Sequence, residues 1–247
     1  MMISLSYGQI IGRDHMQRQV NCQDGLAIRE GRANDEDFII GVVTDGCGSG
    51  KHSEVGAKIF AEYIAERCTD PEYLYFLHYS SNPWKLVSYW LYRAIVFQMR
   101  DRFPVILSGS TIEDYLLFTV VGFIITKGTV YWFKKGDGLV IYKDAGGELY
   151  NRDPEDYKNM PPYIGYELVH PDTLTMEFKS GFKIGQDTLS KGSKFMIATD
   201  GLEDEFIDQI WEKPNRRLQR FLNLQSNKHK KLADDTSVIV VENIDEH

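Results

Sequence analysis

The 247-residue chain carries 28 Lys and Arg against 36 Asp and Glu, a formal net charge of −8, with 43% hydrophobic and 13% aromatic residues. That balance belongs to a globular chain long enough to bury a substantial core, and it lacks the basic face that a general nucleic-acid binder needs. Three cysteines without a CxxC spacing make neither a disulfide framework nor a zinc cage. The start, MMISLSYGQIIGRDH, has no basic segment followed by a long apolar core, and the longest apolar stretch, Tyr115 to Thr126, is too short to span a bilayer. A cytoplasmic protein with no membrane partner is expected.

No Pro/Gly/Ser linker, low-complexity tract or repeat divides the sequence, so one domain over residues 1–247 is expected. Phe38 to Thr44 reads as a strand apolar on both faces. His52 to Cys68 has helical spacing, with Val55, Ile59, Ala61, Ile64 and Ala65 as its apolar stripe and His52 or Ser53 near the N-cap. NPWKLVSYWLYRAIVFQMRDR predicts a second, well-buried helix with Pro83 in its first turn. From Leu116 to Tyr150, β runs broken by Lys127-Gly128, Gly136-Asp137-Gly138 and Ala145-Gly146-Gly147 predict an antiparallel meander. Residues 151–190, which include Pro161-Pro162, carry no clear period. Beyond them the pattern predicts a strand over Phe195 to Thr199, short helices over Glu203 to Trp211 and Pro214 to Asn227, and a closing strand over Ser237 to Glu242. The sum is an α+β sandwich.

Between the first strand and helix lies VVTDGCGSGKHSEVGA, Val42 to Ala57, where a phosphate loop would sit. Anchored on Gly50-Lys51, that loop needs glycine where Asp45 stands and a hydroxyl where His52 stands. The dinucleotide pattern G-x-G-x-x-G fails as well, ending on Lys51 or Ser53. The glycines need another reason.

Asp-Gly recurs at strand ends. Asp45-Gly46 closes VVT, Asp200-Gly201 closes FMIAT, Asp24 precedes a short apolar run, Asp137 lies between two β runs, and Asp234-Asp235 opens the last strand. Singly, each has a plain explanation: a hairpin turn for Asp137, a helix cap for Asp45 and Asp200, a solvated loop for Asp234 and Asp235. Gathered together, they would repel and raise one another's pKa unless cations sat between them. An oxygen-rich set with no His/Cys cage suits Mg²⁺ or Mn²⁺, and a pair of such ions is a common means of activating water against a phosphate ester.

In this the sequence resembles the metal-dependent protein serine/threonine phosphatases, the PP2C or PPM family, and its bacterial branch in particular. Gln23-Asp24, Asp45 to Ala57, a central GST at Gly109 to Thr111, GDG at Gly136 to Gly138, TDGLED at Thr199 to Asp204, and DDTS from Asp234 follow the family's order along nearly the whole chain. The resemblance implies a four-layer α/β/β/α sandwich of two antiparallel sheets flanked by helices, with a dinuclear Mn²⁺ or Mg²⁺ centre at one end. It implies hydrolysis of phosphoserine and phosphothreonine in proteins by a metal-bridged water, and a cognate kinase that installs the phosphate. By position, Asp45 would bridge the metals, the Gly46 carbonyl would bind one, Asp24 would order water, and Asp200 and Asp234 would complete the set. Asp234 is preferred to Asp235 because it stands three residues before Ser237. Asp137 and Asp204 fall where a weaker third ion binds.

Two positions depart from the family. Cys47 stands where many members have a His suspected of protonating the leaving group; a thiol is a poorer candidate, which leaves a metal-bound water, His52 or no dedicated group for that task. The phosphate-gripping Arg before the first motif is matched by His15, with Arg13 and Arg18 as alternatives. Substrate recognition is expected from residues 144–190. Two other readings use the same acids: a catalytically weak phosphoprotein-binding module, and a two-metal nuclease, against which the negative charge and the lack of a basic aromatic groove both speak.

Overall fold

A strand buried on both faces needs apolar side chains at successive positions, and Phe38 to Val43 and Phe118 to Ile125 supply them. The computed structural model describes residues 2–80, 83–102, 111–154, 157, 161–168, 181–212 and 217–244. Along the chain come β1 (Ile3–Ile10), α1 (Arg13–Arg18), β2 (Gly25–Ala33), β3 (Glu36–Gly46), α2 (Ser53–Cys68), α3 (Pro71–Tyr79) and α4 (Pro83–Arg102). There follow β4 (Phe118–Thr126), β5 (Thr129–Lys135), β6 (Leu139–Lys143), β7 (Leu149–Asn151), β8 (Lys183–Thr188) and β9 (Lys194–Ala198). The chain closes with α5 (Ile207–Trp211), α6 (Leu218–Asn227) and β10 (Thr236–Asn243).

Among the described residues these strands form two five-stranded sheets, β1-β10-β9-β6-β7 and β2-β3-β4-β5-β8. Each neighbouring pair is antiparallel. The period-two alternation of a strand then assigns every apolar side chain to a layer. Val43, Val121, Phe123, Ile239 and Val241 pack between the sheets. Val42, Val120 and Ile124 face Phe60, Ile64, Leu91 and Ile95 of α2 and α4 on one outer side. Val238 and Val240 face Phe206, Ile210, Leu218 and Leu222 on the other. The result is the expected four-layer sandwich.

Several local expectations change. The meander breaks at Gly136-Asp137-Gly138, which carries the chain from β5 in one sheet to β6 in the other, so Asp137 is not in a hairpin turn. Val55 and Ile59 of α2 are exposed; the buried face runs through Gly56, Ala57, Phe60, Ala61, Ile64, Ala65 and Cys68. Of the small residues at its start, Gly56 packs on the Tyr115 carbonyl and Ala57 on Thr44 of β3, and this displaces the stripe that hydrophobicity alone predicts. On α4, Leu86, Tyr89 and Phe97 reach solvent although the opposite face is well buried. β1, α1 and α3 have no counterpart in the sequence reading, although Asp70, whose carboxylate accepts from the Glu72 N–H at 2.9 Å ahead of Pro71, is a recognisable start for α3. Residues 109 and 110 of the GST motif, position 82 and positions 214–216 lie outside the described residues. Among the described residues no helix is long and apolar enough to cross a membrane.

Close approach of α2 to the turn Ile112–Leu116 depends on Gly56, where a Cβ would stand 1.8 Å from the Tyr115 carbonyl oxygen. Backbone cannot yield as a side chain can. Gly56→Ala is therefore expected to cost about 3 kcal/mol, at the upper end of overpacking effects, read as a lower urea midpoint at unchanged slope.

Candidate metal centre

The strand registers bring the acids to one end of the sandwich. Gly25 pairs with Thr44, which places Asp24 beside Asp45, and Asp45 itself pairs with Thr119 of β4. Lys135 pairs with Val120, so the crossover that follows β5 lifts Asp137 to the same end. Ala198 pairs with both Leu139 and Val238, which sets Asp200 next to the start of β10 and its leading Asp234-Asp235. One carboxylate oxygen from each of Asp45, Asp137 and Asp200 lies within 4.8 Å of the other two. Asp24 is wholly buried beside them; its Oδ2 accepts from the Thr199 hydroxyl at 2.8 Å, and its Oδ1 has no hydrogen-bond partner. Asp137 Oδ1 is buried without a partner as well.

Electrostatics follows from this crowding. Burial pushes the Asp24 carboxyl well above the usual range; hydrogen bonds from Ser237 and Thr199 resist, and the charges of Asp235 and Asp200 add to the rise. Asp45 is driven up by burial and then by Asp24, Asp200, Asp137 and Asp234. Asp200, at the solvent edge, is raised to about 6 by burial and by Asp137 and Asp234, and burial raises Asp137. An all-oxygen donor set with two buried, unpartnered oxygens fits a hard divalent cation and nothing softer.

The last motif divides its two acids between different tasks. Asp235 is buried, and its oxygens accept from the Gly12 and Gln23 N–H groups, each at 2.6 Å, with His15 Nδ1 2.8 Å away. It thereby ties together the loops before α1, β2 and β10. Asp234 has a 65% exposed side chain and lies 3.8 Å from His15 Nδ1, close enough to act on both Asp45 and Asp200. Gly201 permits this loop's approach, since a Cβ there would stand 2.0 Å from the Asp235 carbonyl oxygen. The sequence reading set Asp235 aside; the doubled acid at the head of a buried strand was the available signal.

The remaining candidates are placed as follows. Gly46 ends β3 and donates its N–H to the Gln23 carbonyl at 3.2 Å. Arg13 is held by Asp14 and by the Lys230 carbonyl, and Arg18 by the Asp14 carbonyl. Asp204 is exposed on a short 3-10 turn and belongs to neither carboxylate cluster among the described residues. His52 heads α2 without a side-chain cap, and its ring lies 5.1 Å from that of Tyr115. Burial works to raise the Cys47 thiol, but hydrogen bonds from Ser49, Tyr163 and two backbone N–H groups outweigh it, and the thiol falls below its usual value. Two groups that sequence reasoning missed border the site. One is Tyr163; the other is Lys134, which is 1% exposed and pairs with Asp153 at 3.0 Å.

Oxygen donors gathered at one end of a double sheet define a centre for hard cations. The sequence matches the family model for protein phosphatase 2C over residues 11–235, and the chain belongs to that family of metal-dependent protein phosphatases. No curated protein sequence matches the chain. Solved structures share its fold. A serine/threonine phosphatase of S. agalactiae is 16% identical with a TM-score of 0.66, over 99% of this chain and 100% of its own. RsbX in complex with magnesium is 18% identical with a TM-score of 0.57, over 97% and 94% of the two chains. The catalytic domain of the serine/threonine protein phosphatase PstP, in complex with 2 manganese ions, is 14% identical with a TM-score of 0.56, over 98% and 99%.

Proposed function

We propose that the chain removes phosphate from phosphoserine and phosphothreonine in proteins, at a dinuclear Mn²⁺ or Mg²⁺ centre, and that it opposes a cognate serine/threonine kinase. The observation that carries this reading is the convergence of Asp45, Asp137 and Asp200 within 4.8 Å beside the unpartnered Asp24 Oδ1. Manganese and magnesium in the related structures support the same choice of ion.

Asp45, Asp200 and the Gly46 carbonyl would hold the principal ions, with Asp137 shared toward a weaker third. Asp234 would complete the set from the rim, and Asp204 would join the third ion from outside the cluster. Ions held there would supply an activated water and neutralise charge on the phosphoryl oxygens. Asp24, fixed through Oδ2 by Thr199, keeps Oδ1 as an acceptor that orients the water's hydrogen. His15 and Asp235 brace the loop that carries Asp234, and by position in the family His15 or Arg13 would grip the incoming phosphate. The complete acid set speaks against a binding module without turnover.

Hydrolysis of p-nitrophenyl phosphate and a phosphothreonine peptide, each with Mn²⁺, Mg²⁺ or EDTA, tests the reading. Turnover of both substrates that needs the metal is expected. Calorimetric metal binding without turnover of either substrate would leave only a binding module.

A further inference from the structure

The end of the sandwich opposite the acid cluster holds a cavity of about 270 Å³. β3 joins the two ends, with Asp37 at the cavity and Asp45 at the metal centre, roughly 26 Å apart at about 3.3 Å per residue of strand.

Strand register explains the chemistry of the lining. Glu30 lies opposite Ile39, and Asp37 is the neighbouring residue of β3 on that same face, so both carboxylates share the inter-sheet side with Ile39. Ile39 packs partly buried on the core between the sheets, as does Ile3 of β1, and Ile125, paired with Ile39, is buried. Ile3, Ile39 and Ile125 thus supply an apolar floor, and the exposed Glu30 and Asp37 an acidic rim. The rim is preformed. Asn34 and Asp35, which join the two acid-bearing strands, have φ of 51° and 63°, the conformation of a tight hairpin turn. Thr126 closes one side, where its hydroxyl donates to the Asp37 carbonyl at 3.3 Å and lies 2.7 Å from His78 Nε2.

Among the described residues no Lys, Arg or His lines the cavity, and neither Glu30 nor Asp37 makes an ion pair. The cations nearby are engaged elsewhere. Arg32, opposite Asp37 in the register, donates to the Asp35 carbonyl at 3.1 Å. Lys127 pairs with Glu36 at 3.6 Å and stands 4.8 Å from the centre of the Tyr79 ring. Two carboxylates without a counter-charge beside an apolar floor suit a ligand with a positive head and an apolar stem. The volume lies at the lower edge of small-molecule sites and suits a ligand the size of an amino acid rather than of a nucleotide.

We propose that this cavity binds a small aliphatic cation, an alkylammonium or alkylguanidinium, with its stem on Ile3, Ile39 and Ile125 and its head hydrogen-bonded to Glu30 and Asp37. The site is separate from the metal centre and does not depend on the phosphatase reading. Head and stem act together: a bare cation leaves the isoleucines in water, and an uncharged alcohol leaves the carboxylates without a counter-charge.

Titration of isotope-labelled protein in EDTA with n-pentylammonium and n-butylguanidinium chlorides, followed by amide NMR, tests the assignment. At least one of the two is expected to shift the Gly31, Ile39 and Thr126 signals saturably, while ammonium chloride and n-pentanol at equal concentration leave them in place. Glu30→Gln with Asp37→Asn is expected to weaken that binding by about tenfold or more. Removing two charges from the exposed Glu72 and Asp101 instead, as Glu72→Gln with Asp101→Asn, should change it less than about twofold, which separates a site from general attraction to an acidic chain. Spectra that otherwise overlay the wild type show both double variants to be folded. Absence of a saturable shift with either cation, an equal response to pentanol, or equal losses in the two double variants would overturn the proposal. With neither metal nor phosphate ester present, that failure would leave the phosphatase reading standing, and a failed phosphatase assay would leave this site standing.

Discussion

Asp45→Asn should reduce metal-dependent hydrolysis by at least about 10³-fold, a loss of some 4 kcal/mol of transition-state stabilisation, while leaving the fold intact. Asp45 is the acid on which the others converge: Asp24, Asp200, Asp137 and Asp234 all press on it. An amide keeps its shape but gives up the charge that would draw cations into the cluster. The same change carries a second, opposite signature. In EDTA the variant has one fewer half-buried carboxylate among mutually repelling neighbours, so it should melt above the metal-free wild type at pH 7, by about 3 °C. Activity down and metal-free stability up together separate a metal ligand from a structural residue, whose loss would lower both. A variant that keeps its turnover, or a wild type that works in EDTA, would sink the metal assignment.

How far the sequence alone reaches depends on the kind of signal. β3, β9 and β10 were legible because their apolar runs are bounded by Asp-Gly or Asp-Asp, and β4 because its apolar run is long and stops at Lys127-Gly128. The acids were legible because Thr-Asp-Gly occurs twice at strand ends. What escaped was non-local. Nothing in Gly136-Asp137-Gly138 distinguishes a hairpin from a crossover between sheets; pairing of β6 with β9, some fifty residues on, decides it. The buried face of α2 moved off Val55 and Ile59 because Gly56 packs against the Tyr115 carbonyl and Ala57 against Thr44 of β3, close approaches that hydrophobicity does not encode. Asp235 looked like a loop acid because its partners, the Gly12 and Gln23 N–H groups, lie more than two hundred residues away in the chain. Lys134 was illegible for the same reason: a buried lysine is defined by what folds over it.

Without metal, the protein should lose stability as pH rises from about 4.5 to 7, with Tm falling by about 5–10 °C. Asp24, Asp45, Asp137 and Asp200 all have folded pKa values above their ordinary ones, Asp200 at about 6. The folded state therefore holds protons that the unfolded chain has already released. Their contribution is complete below the ordinary carboxylate range near 3.8 and is withdrawn as pH climbs through the folded values. Most proteins with salt-bridged acids show the opposite slope over this interval, which makes the sign diagnostic. Mn²⁺ should reverse it at pH 7, where the carboxylates are free to bind: at a hundred times its dissociation constant, one ion adds about 2.7 kcal/mol. At pH 4.5 the same addition should do little, because protons occupy the ligands. Thermal melts at both pH values, with Mn²⁺ and with EDTA, measure all four corners. A metal-free Tm that rises with pH would mean that these acids are paired with cationic side chains rather than waiting for cations, and the centre would have to be sought elsewhere.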